Sequence, residues 1–93
     1  MIKSFRCKET ATVFSRKTSR KFSAEIQRIA LRKLLLLDAA EAIKDLRIPP
    51  GNRLEKLSDR RKNQHSIPIN EQWRICFEWK QGDAYNVEII DYH

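Results

Sequence analysis

The sequence predicts an α+β domain in which N-terminal helices pack on one face of an antiparallel sheet. Apolar residues recur at helical spacing in the first half of the chain, and aromatic and β-branched residues are concentrated in the second half. Between the halves lies Ile48-Pro49-Pro50-Gly51, which ends any helix. A chain of 93 residues supplies one small hydrophobic core, so residues 1–93 are expected to form a single domain.

Two helices and a short initial strand are predicted in the first half. Alternation over residues 2–7 favours the strand, and apolar residues favour a short helix over residues 10–16. Ser23 is a suitable N-cap, so a longer helix should begin near Ala24 and continue, with a break near Asp38, to about Leu46. The apolar stripe of this helix comprises Ile26, Ile29, Ala30, Leu34 and Leu37.

Three strands are predicted after Gly51. The first contains Ile67 and Ile69, and the other two cover residues 73–80 and 84–92. The segment Gln81-Gly82-Asp83 is typical of a tight turn, so the last two strands should form an antiparallel hairpin.

The charge balance favours an anionic partner. Lys and Arg number 19 against 12 Asp and Glu, which gives a formal net charge of +7, and residues 1–33 hold ten of the basic and two of the acidic side chains. Nucleic acid would suit this surplus, although a solvated helix face also explains it. The longest apolar run, residues 34–37, is far short of the roughly 18–20 residues of a membrane span, and no secretory signal is visible. A cytoplasmic protein without membrane association is expected.

The C-terminal residues are the leading candidates for acid–base chemistry. A strand that runs to Asp91, Tyr92 and His93 places a carboxylate and two titratable rings at one end of the sheet. Because an imidazole titrates near neutral pH, His93 can move a proton while an RNA phosphodiester is cleaved by its own 2′-hydroxyl. Arg74 can hold the phosphate and stabilise the pentavalent transition state. A solvated terminal imidazole and an outward-facing strand arginine are the simpler interpretations.

A basic cluster, Arg60-Arg61-Lys62, is a candidate contact with RNA or the ribosome, although solvation alone explains it. His65 is grouped with this cluster, and it is also open to interpretation as a second proton carrier or an ordinary strand-edge residue. The cysteines, histidines and acidic residues have no metal-ligand spacing, and the chain has no Gly-rich phosphate loop. Neither a metal nor a cofactor is expected.

Several short motifs occur in order along the chain. They are Pro49-Pro50-Gly51-Asn52-Arg53-Leu54-Glu55, Gln64-His65-Ser66-Ile67, Gln72-Trp73-Arg74-Ile75-Cys76-Phe77, Gly82-Asp83-Ala84-Tyr85 and Asp91-Tyr92-His93. Together they make the chain resemble the HigB toxins of the RelE/ParE-like superfamily. The resemblance implies a RelE-like compact microbial RNase fold and a ribosome-dependent endoribonuclease that cuts mRNA without a metal or cofactor.

The resemblance also implies a HigA-like antitoxin with a helix-turn-helix domain as partner. Operator DNA would be bound only through the toxin–antitoxin complex, which would repress its own operon. By position in the motifs, Arg74 matches the family's strand arginine, and residues 91–93 match its catalytic C-terminus. Arg61 and Lys62 match the family's basic loop.

Two departures from the family pattern bear on activity. The loop Asp59-Arg60-Arg61-Lys62-Asn63 lacks two glycines that relatives often have. Pro68 stands where many relatives have arginine; it removes a ladder donor and is expected at an edge or bulge. The alternatives are therefore a weakened toxin, a non-catalytic RNA- or protein-binding module, and a gyrase-poisoning ParE-like toxin.

Overall fold

The computed structural model describes residues 1–47, 53–57 and 63–91, and it confirms the predicted α+β class. The helices are α1 (Lys8–Phe14), α2 (Ala24–Ala39) and a 3₁₀ helix (Ile43–Arg47). The strands are β1 (Glu55–Lys56), β2 (Gln64–Pro68), β3 (Trp73–Lys80) and β4 (Asp83–Asp91). All neighbouring strands are antiparallel, in the order β1-β2-β3-β4.

Helix α2 begins where the sequence predicts because its first turn is capped. The Oγ atom of Ser23 accepts a hydrogen bond of 3.2 Å from the backbone N–H of Ile26. Further along the predicted stripe, Ala30, Leu34 and Leu37 are fully buried. The helix therefore presents one apolar face to the sheet, as its periodicity indicates.

Helix α1 differs from the prediction, whereas the predicted break near Asp38 is confirmed. Helix α1 begins and ends two residues earlier than expected, at Lys8 and Phe14. Helix α2 ends at Ala39, and the helical pattern beyond it forms the separate 3₁₀ helix. Here the carboxylate of Asp45 accepts hydrogen bonds of 3.0 Å from the backbone N–H groups of Glu41 and Ala42. These bonds lower the pKa of Asp45 and favour a tight turn over continued α-helix.

The sheet contains one strand more than predicted and a shorter hairpin turn. The additional strand is β1, whose Glu55 pairs with Ser66 of β2. Between β3 and β4 only Gln81 and Gly82 form the turn, with φ angles of 51° and 84°. Two positive φ angles in a two-residue loop are typical of a type I′ hairpin, so Asp83 belongs to β4.

The N-terminal segment covers the free side of β4. Isolated parallel bridges join Ile2 to Ala84 and Phe5 to Val87, in place of the continuous strand that the alternation suggests. The backbone N–H of Lys3 donates to the carbonyl of Ala84 at 2.7 Å. These contacts occupy backbone groups that an uncovered edge strand would leave unpaired.

Pro68 lies at the end of β2, where a backbone N–H would have no neighbouring strand as hydrogen-bond acceptor. The absence of this N–H in proline therefore breaks no pairing. Pro68 pairs with Arg74 of β3, and the N–H of the next residue, Ile69, donates to the carbonyl of Trp73 at 2.8 Å. Because successive residues of a strand face opposite neighbours, the nitrogen of Pro68 points to the β1 side. The β1–β2 pairing reaches only Glu55, so this end of an inner strand is locally an edge, as expected for proline.

Alternate residues of the sheet face the helices and form the hydrophobic core. The buried core comprises Val13, Phe22, Ile26, Ala30, Leu34, Leu37, Ala40, Leu46, Ile67, Ile69, Ile75, Phe77, Ala84, Val87 and Ile89. The intervening residues of β2 and β3 lie on the opposite face, which carries Ser66, Arg74 and Cys76. The chemistry of that face depends on a sheet held in place by the core behind it.

Two adjacent leucines of α2 test this packing. Replacing the fully buried Leu34 by alanine should lower the free energy of unfolding by about 2–5 kcal/mol, because it removes apolar contacts and leaves a cavity. Leu35, which is 39% exposed, is the matched control, and Leu35→Ala should change stability by no more than about 0.5 kcal/mol. Urea unfolding measures both. Equal losses in the two variants would contradict the assigned face of the helix.

Candidate functional site

Arg74 is held in a fixed orientation on the face of the sheet away from the core. Its Nε–H donates a hydrogen bond of 2.9 Å to the Oγ atom of Ser66, which is fully buried. One of its terminal nitrogens, Nη2, lies 3.3 Å from the Oε2 atom of Glu55. Because the guanidinium is planar, fixing Nε fixes the direction of the whole group.

The strand register explains why these three side chains meet. Glu55 pairs with Ser66 across β1 and β2, and Pro68, two residues beyond Ser66, pairs with Arg74 across β2 and β3. Side chains two residues apart on a strand share a face, and diagonal neighbours on adjacent strands are within reach of a long side chain. Three consecutive strands therefore contribute one side chain each to the group.

Arg74 lies in the wall of an open groove of about 600 Å³. The groove is lined by residues of α2, of β1 and the residues before it, and of the β2–β3 turn: Ile29, Arg32, Lys33, Arg53, Glu55, Pro68, Ile69, Asn70, Glu71 and Arg74. Four of these are cations and two are carboxylates. An excess of positive charge beside an oriented guanidinium is suited to binding a phosphodiester.

Lys33 is a groove cation with a shifted pKa. Its pKa is lowered by partial burial and, secondarily, by the neighbouring positive charge of Arg32. Both causes penalise the charged amine, and an anion bound between the two side chains would relieve the repulsion. The local field on the α2 side of the groove therefore also favours a negatively charged ligand.

Asp91, the first of the predicted C-terminal residues, lies at the end of β4. It pairs with Trp73, whereas Arg74 pairs with Ile90, so the side chain of Asp91 lies on the face of the sheet opposite to that of Arg74. Its Oδ2 atom accepts a hydrogen bond of 3.1 Å from Nε2 of Gln72. The other predicted catalytic residues, Tyr92 and His93, and the basic cluster Arg60, Arg61 and Lys62 lie outside the described residues.

His65 does not join Arg74, because it lies on the opposite face of the sheet. It pairs with Phe77, and the two rings stack with their centres 5.9 Å apart. Its surroundings form a second pocket of about 360 Å³ that is lined also by Lys56, Asn63, Glu78, Trp79 and Lys80. Burial lowers the pKa of His65, and the positive charges of Lys56 and Arg47 lower it further. The imidazole is therefore predominantly neutral at neutral pH.

Sequence reasoning did not select Glu55, Ser66, Arg32, Lys33 or Arg53 as site residues. In the sequence, Arg32 and Lys33 of α2 have the pattern of an ordinary solvated helix face. Glu55 and Ser66 lie within quoted family motifs, but their contacts with Arg74 depend on strand register. Register is set by long-range pairing, and β1 is too short to show a periodic pattern.

Two further properties concern the described ranges alone. Within residues 1–47, 53–57 and 63–91, no group of three or more His, Cys, Asp or Glu side chains is placed to hold a metal ion. In the same ranges, each helix is too short or too polar to cross a membrane.

The environment of His65 predicts its pH behaviour. By NMR titration, the pKa of His65 should lie below 6.5, and Lys56→Gln should raise it because one of the nearby positive charges is removed. Lys44→Gln is the matched control, since Lys44 is not among the charges that shift this group. In the unfolded chain the imidazole takes up a proton more readily, so native stability should fall as the pH drops below 6.5. A His65 pKa above 6.5 would contradict this environment.

Comparison with known proteins identifies the family of the chain. A family model for the HigB-like toxins, described as the RelE-like toxin of type II toxin-antitoxin system HigB, matches residues 3–93. Toxin HigB-1 of Vibrio cholerae serotype O1 is 47% identical over 70 residues, which cover 75% of this chain and 74% of that protein. Endoribonuclease HigB of Proteus vulgaris is 35% identical over 94 aligned residues, which cover 100% of both chains.

The helices packed on a four-stranded antiparallel sheet are consistent with the RelE-like family. The family model covers nearly the whole chain, and the relatives named HigB share at least a third of the aligned residues. The chain therefore belongs to the HigB-like toxins, the RelE-like toxins of type II toxin–antitoxin systems.

Proposed function

We propose that this chain is an endoribonuclease that cleaves mRNA on the ribosome and so inhibits translation and growth. The observation that carries the proposal is Arg74, fixed by Ser66 in the wall of a groove rich in cations. The relative from Proteus vulgaris is named an endoribonuclease, which supports the same reaction class. Ribosome dependence is part of the proposal.

In the proposed reaction, Arg74 binds the scissile phosphate and stabilises its transition state. When the 2′-oxygen attacks phosphorus, negative charge builds up on the non-bridging oxygens, and a guanidinium already oriented toward them loses little entropy in binding. The attacking group belongs to the RNA itself. The reaction therefore needs no metal-bound water as nucleophile, which is why we propose a metal-independent enzyme.

The C-terminal residues complete the proposed machinery. His93 acts as general acid or base, Tyr92 orients the substrate or shares the proton transfer, and Asp91 tunes its neighbours. Asp91 lies at the same end of the sheet as Arg74 but on the opposite face, so its proposed influence is on Tyr92 and His93 rather than on Arg74. His65 takes no part in the proposed proton transfers, because its ring stacks on Phe77 on the other face of the sheet.

The proposed RNA contacts are Arg60, Arg61 and Lys62, which would hold the mRNA backbone and nearby ribosomal phosphates. His65 is a further proposed contact, as a neutral hydrogen-bonding ring rather than a cation. Its Nδ1 atom is buried and has no hydrogen-bond partner within the described part of the chain. The ribosome would supply the substrate positioning that so small a site lacks.

Membership of a type II toxin–antitoxin family implies an antitoxin as partner. We propose that this partner is HigA-like, with a helix-turn-helix domain, and that operator DNA is bound only through the complex that represses the operon. A toxin that acts on translating ribosomes works in the cytoplasm, which is the proposed location.

Substitution of Arg74 tests the proposed reaction. In a purified translation system, Arg74→Ala should reduce mRNA cleavage by about 10²–10³-fold, because the charge that stabilises the transition state is lost. Arg74→Lys should restore part of the activity, since it keeps the charge without the planar fork. Lys44→Ala, which removes an exposed cation outside the groove, should leave cleavage unchanged. Cleavage products are measured by primer extension.

The same assay separates the alternatives. Because Pro68 replaces a family arginine opposite Arg74, a non-catalytic binder is the main competing function. Wild-type protein that binds ribosomes but leaves mRNA intact would support the binder and contradict the nuclease. Growth arrest with intact mRNA and altered DNA supercoiling would instead indicate a gyrase poison.

A further inference from the structure

The pocket around His65 has no role in the proposed proton transfers. Its volume is about 360 Å³, which suits one ligand of limited size. The lining residues are Lys56, Asn63, His65, Glu78, Trp79 and Lys80. His65 lies three residues before Pro68, the partner of Arg74, so His65 and Arg74 face opposite sides of the sheet. A ligand in this pocket is therefore distinct from a phosphate at Arg74.

Strand register places the side chains of this pocket in a row across the sheet. Lys56 pairs with His65 across β1 and β2, and His65 pairs with Phe77 across β2 and β3. Side chains directly opposite on neighbouring strands share a face. The ring of Trp79 meets that of Phe77 edge-on, with the ring centres 6.4 Å apart. The row therefore passes from a cation through a neutral imidazole to aromatic rings.

His65 presents a single hydrogen-bonding atom in a fixed direction. Its ring is stacked on Phe77, and its Nδ1 atom is buried without a partner in the described part of the chain. A buried N–H is almost always paired in proteins, so the proton of the neutral ring belongs on the other nitrogen, Nε2. Because His65 lines the pocket while Nδ1 is buried, Nε2 is the ring nitrogen that can donate to a ligand there.

The charges of the pocket favour an anionic group beside Lys56. The one carboxylate among the lining residues, Glu78, accepts a hydrogen bond of 2.7 Å from Nδ2 of Asn86 and lies 3.6 Å from Nζ of Lys80. Lys56 is exposed and forms no ion pair within the described residues. The charge of Arg47 also reaches His65. The positive charge of Lys56 is therefore available to a ligand.

These groups together match the parts of an unpaired nucleotide. A lysine suits the phosphate, a fixed N–H and the side-chain amide of Asn63 suit the edge of a base, and the indole of Trp79 supplies an apolar wall. A simple anion would not need the amide or the indole, and an apolar ligand would not need Lys56. Asn63 also directly follows Arg60-Arg61-Lys62, so the proposed RNA contacts and the pocket are adjacent along the chain.

We propose that this pocket binds one unpaired RNA nucleotide other than the one that is cleaved, an inference that rests on the proposed contact with RNA. The phosphate of this nucleotide lies against Lys56. Its base accepts a hydrogen bond from Nε2 of His65 and bonds to the amide of Asn63, with Trp79 beside it. The pocket makes and breaks no covalent bond, so it anchors RNA while the reaction takes place on the other face of the sheet.

The first test is an NMR titration with adenosine 5′-monophosphate (AMP), which has no phosphodiester bond to cleave. Saturable shifts are expected at the imidazole of His65 and the indole of Trp79. His65→Phe keeps a ring against Phe77 but removes the donor, so it should weaken AMP binding by about 5–10-fold, as measured at Trp79. Lys56→Gln should also weaken binding, and Lys44→Gln, outside the pocket, should not.

The second test measures mRNA cleavage on the programmed ribosome. His65→Phe should raise KM several-fold and leave kcat unchanged, because the substitution removes an anchor and no group that acts in the reaction. Lys44→Gln is again the control and should leave both constants unchanged. Urea unfolding verifies that each variant is folded, and the exposed substitution Lys56→Gln provides the comparison if His65→Phe does not fold.

Three results would overturn the inference. They are unchanged His65 and Trp79 signals in the presence of AMP, wild-type affinity for AMP in both His65→Phe and Lys56→Gln, and inorganic phosphate binding as tightly as AMP. The last result would reduce the pocket to a general attraction for anions. Binding of AMP in the pocket by a wild-type chain that cleaves no mRNA would instead overturn the proposed nuclease and leave the nucleotide site in place.

Discussion

The hydrogen bond from Arg74 to Ser66 is the contact on which the candidate site depends. Ser66 is fully buried, and its backbone is paired with both β1 and β3, so the Cα atom that carries the hydroxyl is held from two sides. A rigid acceptor at Nε orients a planar donor group that would otherwise sample many rotamers. The fold thus orients the Arg74 guanidinium before a substrate binds. Such preorganisation is the main requirement for stabilising charge in a transition state.

The positive charge of the chain serves this site only in part. Residues 1–33 hold most of the surplus, but only Arg32 and Lys33 of that segment line the groove. They are joined there by Arg53 and Arg74 from distant parts of the sequence. Partial burial and mutual repulsion lower the pKa of Lys33, so this side of the groove is poised to accept an anion. The position of each cation, more than the net charge of +7, determines whether it can contact a ligand in the groove.

Local patterns were enough to predict the capped start of α2, its buried stripe, and the β3–β4 hairpin. Each depends on residues that are near one another in sequence, such as Ser23 and Ile26. The β1 strand and the contact between Glu55 and Arg74 could not be predicted, because both depend on register across three strands. Arg74 was predicted correctly as a strand residue, but its neighbours required the fold.

The most direct measurement is a structure of the chain on a ribosome programmed with mRNA whose 2′-hydroxyl is blocked by methylation, so that cleavage cannot occur. We predict a phosphate within hydrogen-bonding distance of the Arg74 guanidinium. An mRNA phosphate bound instead in the pocket around His65, with the Arg74 groove empty, would contradict the account.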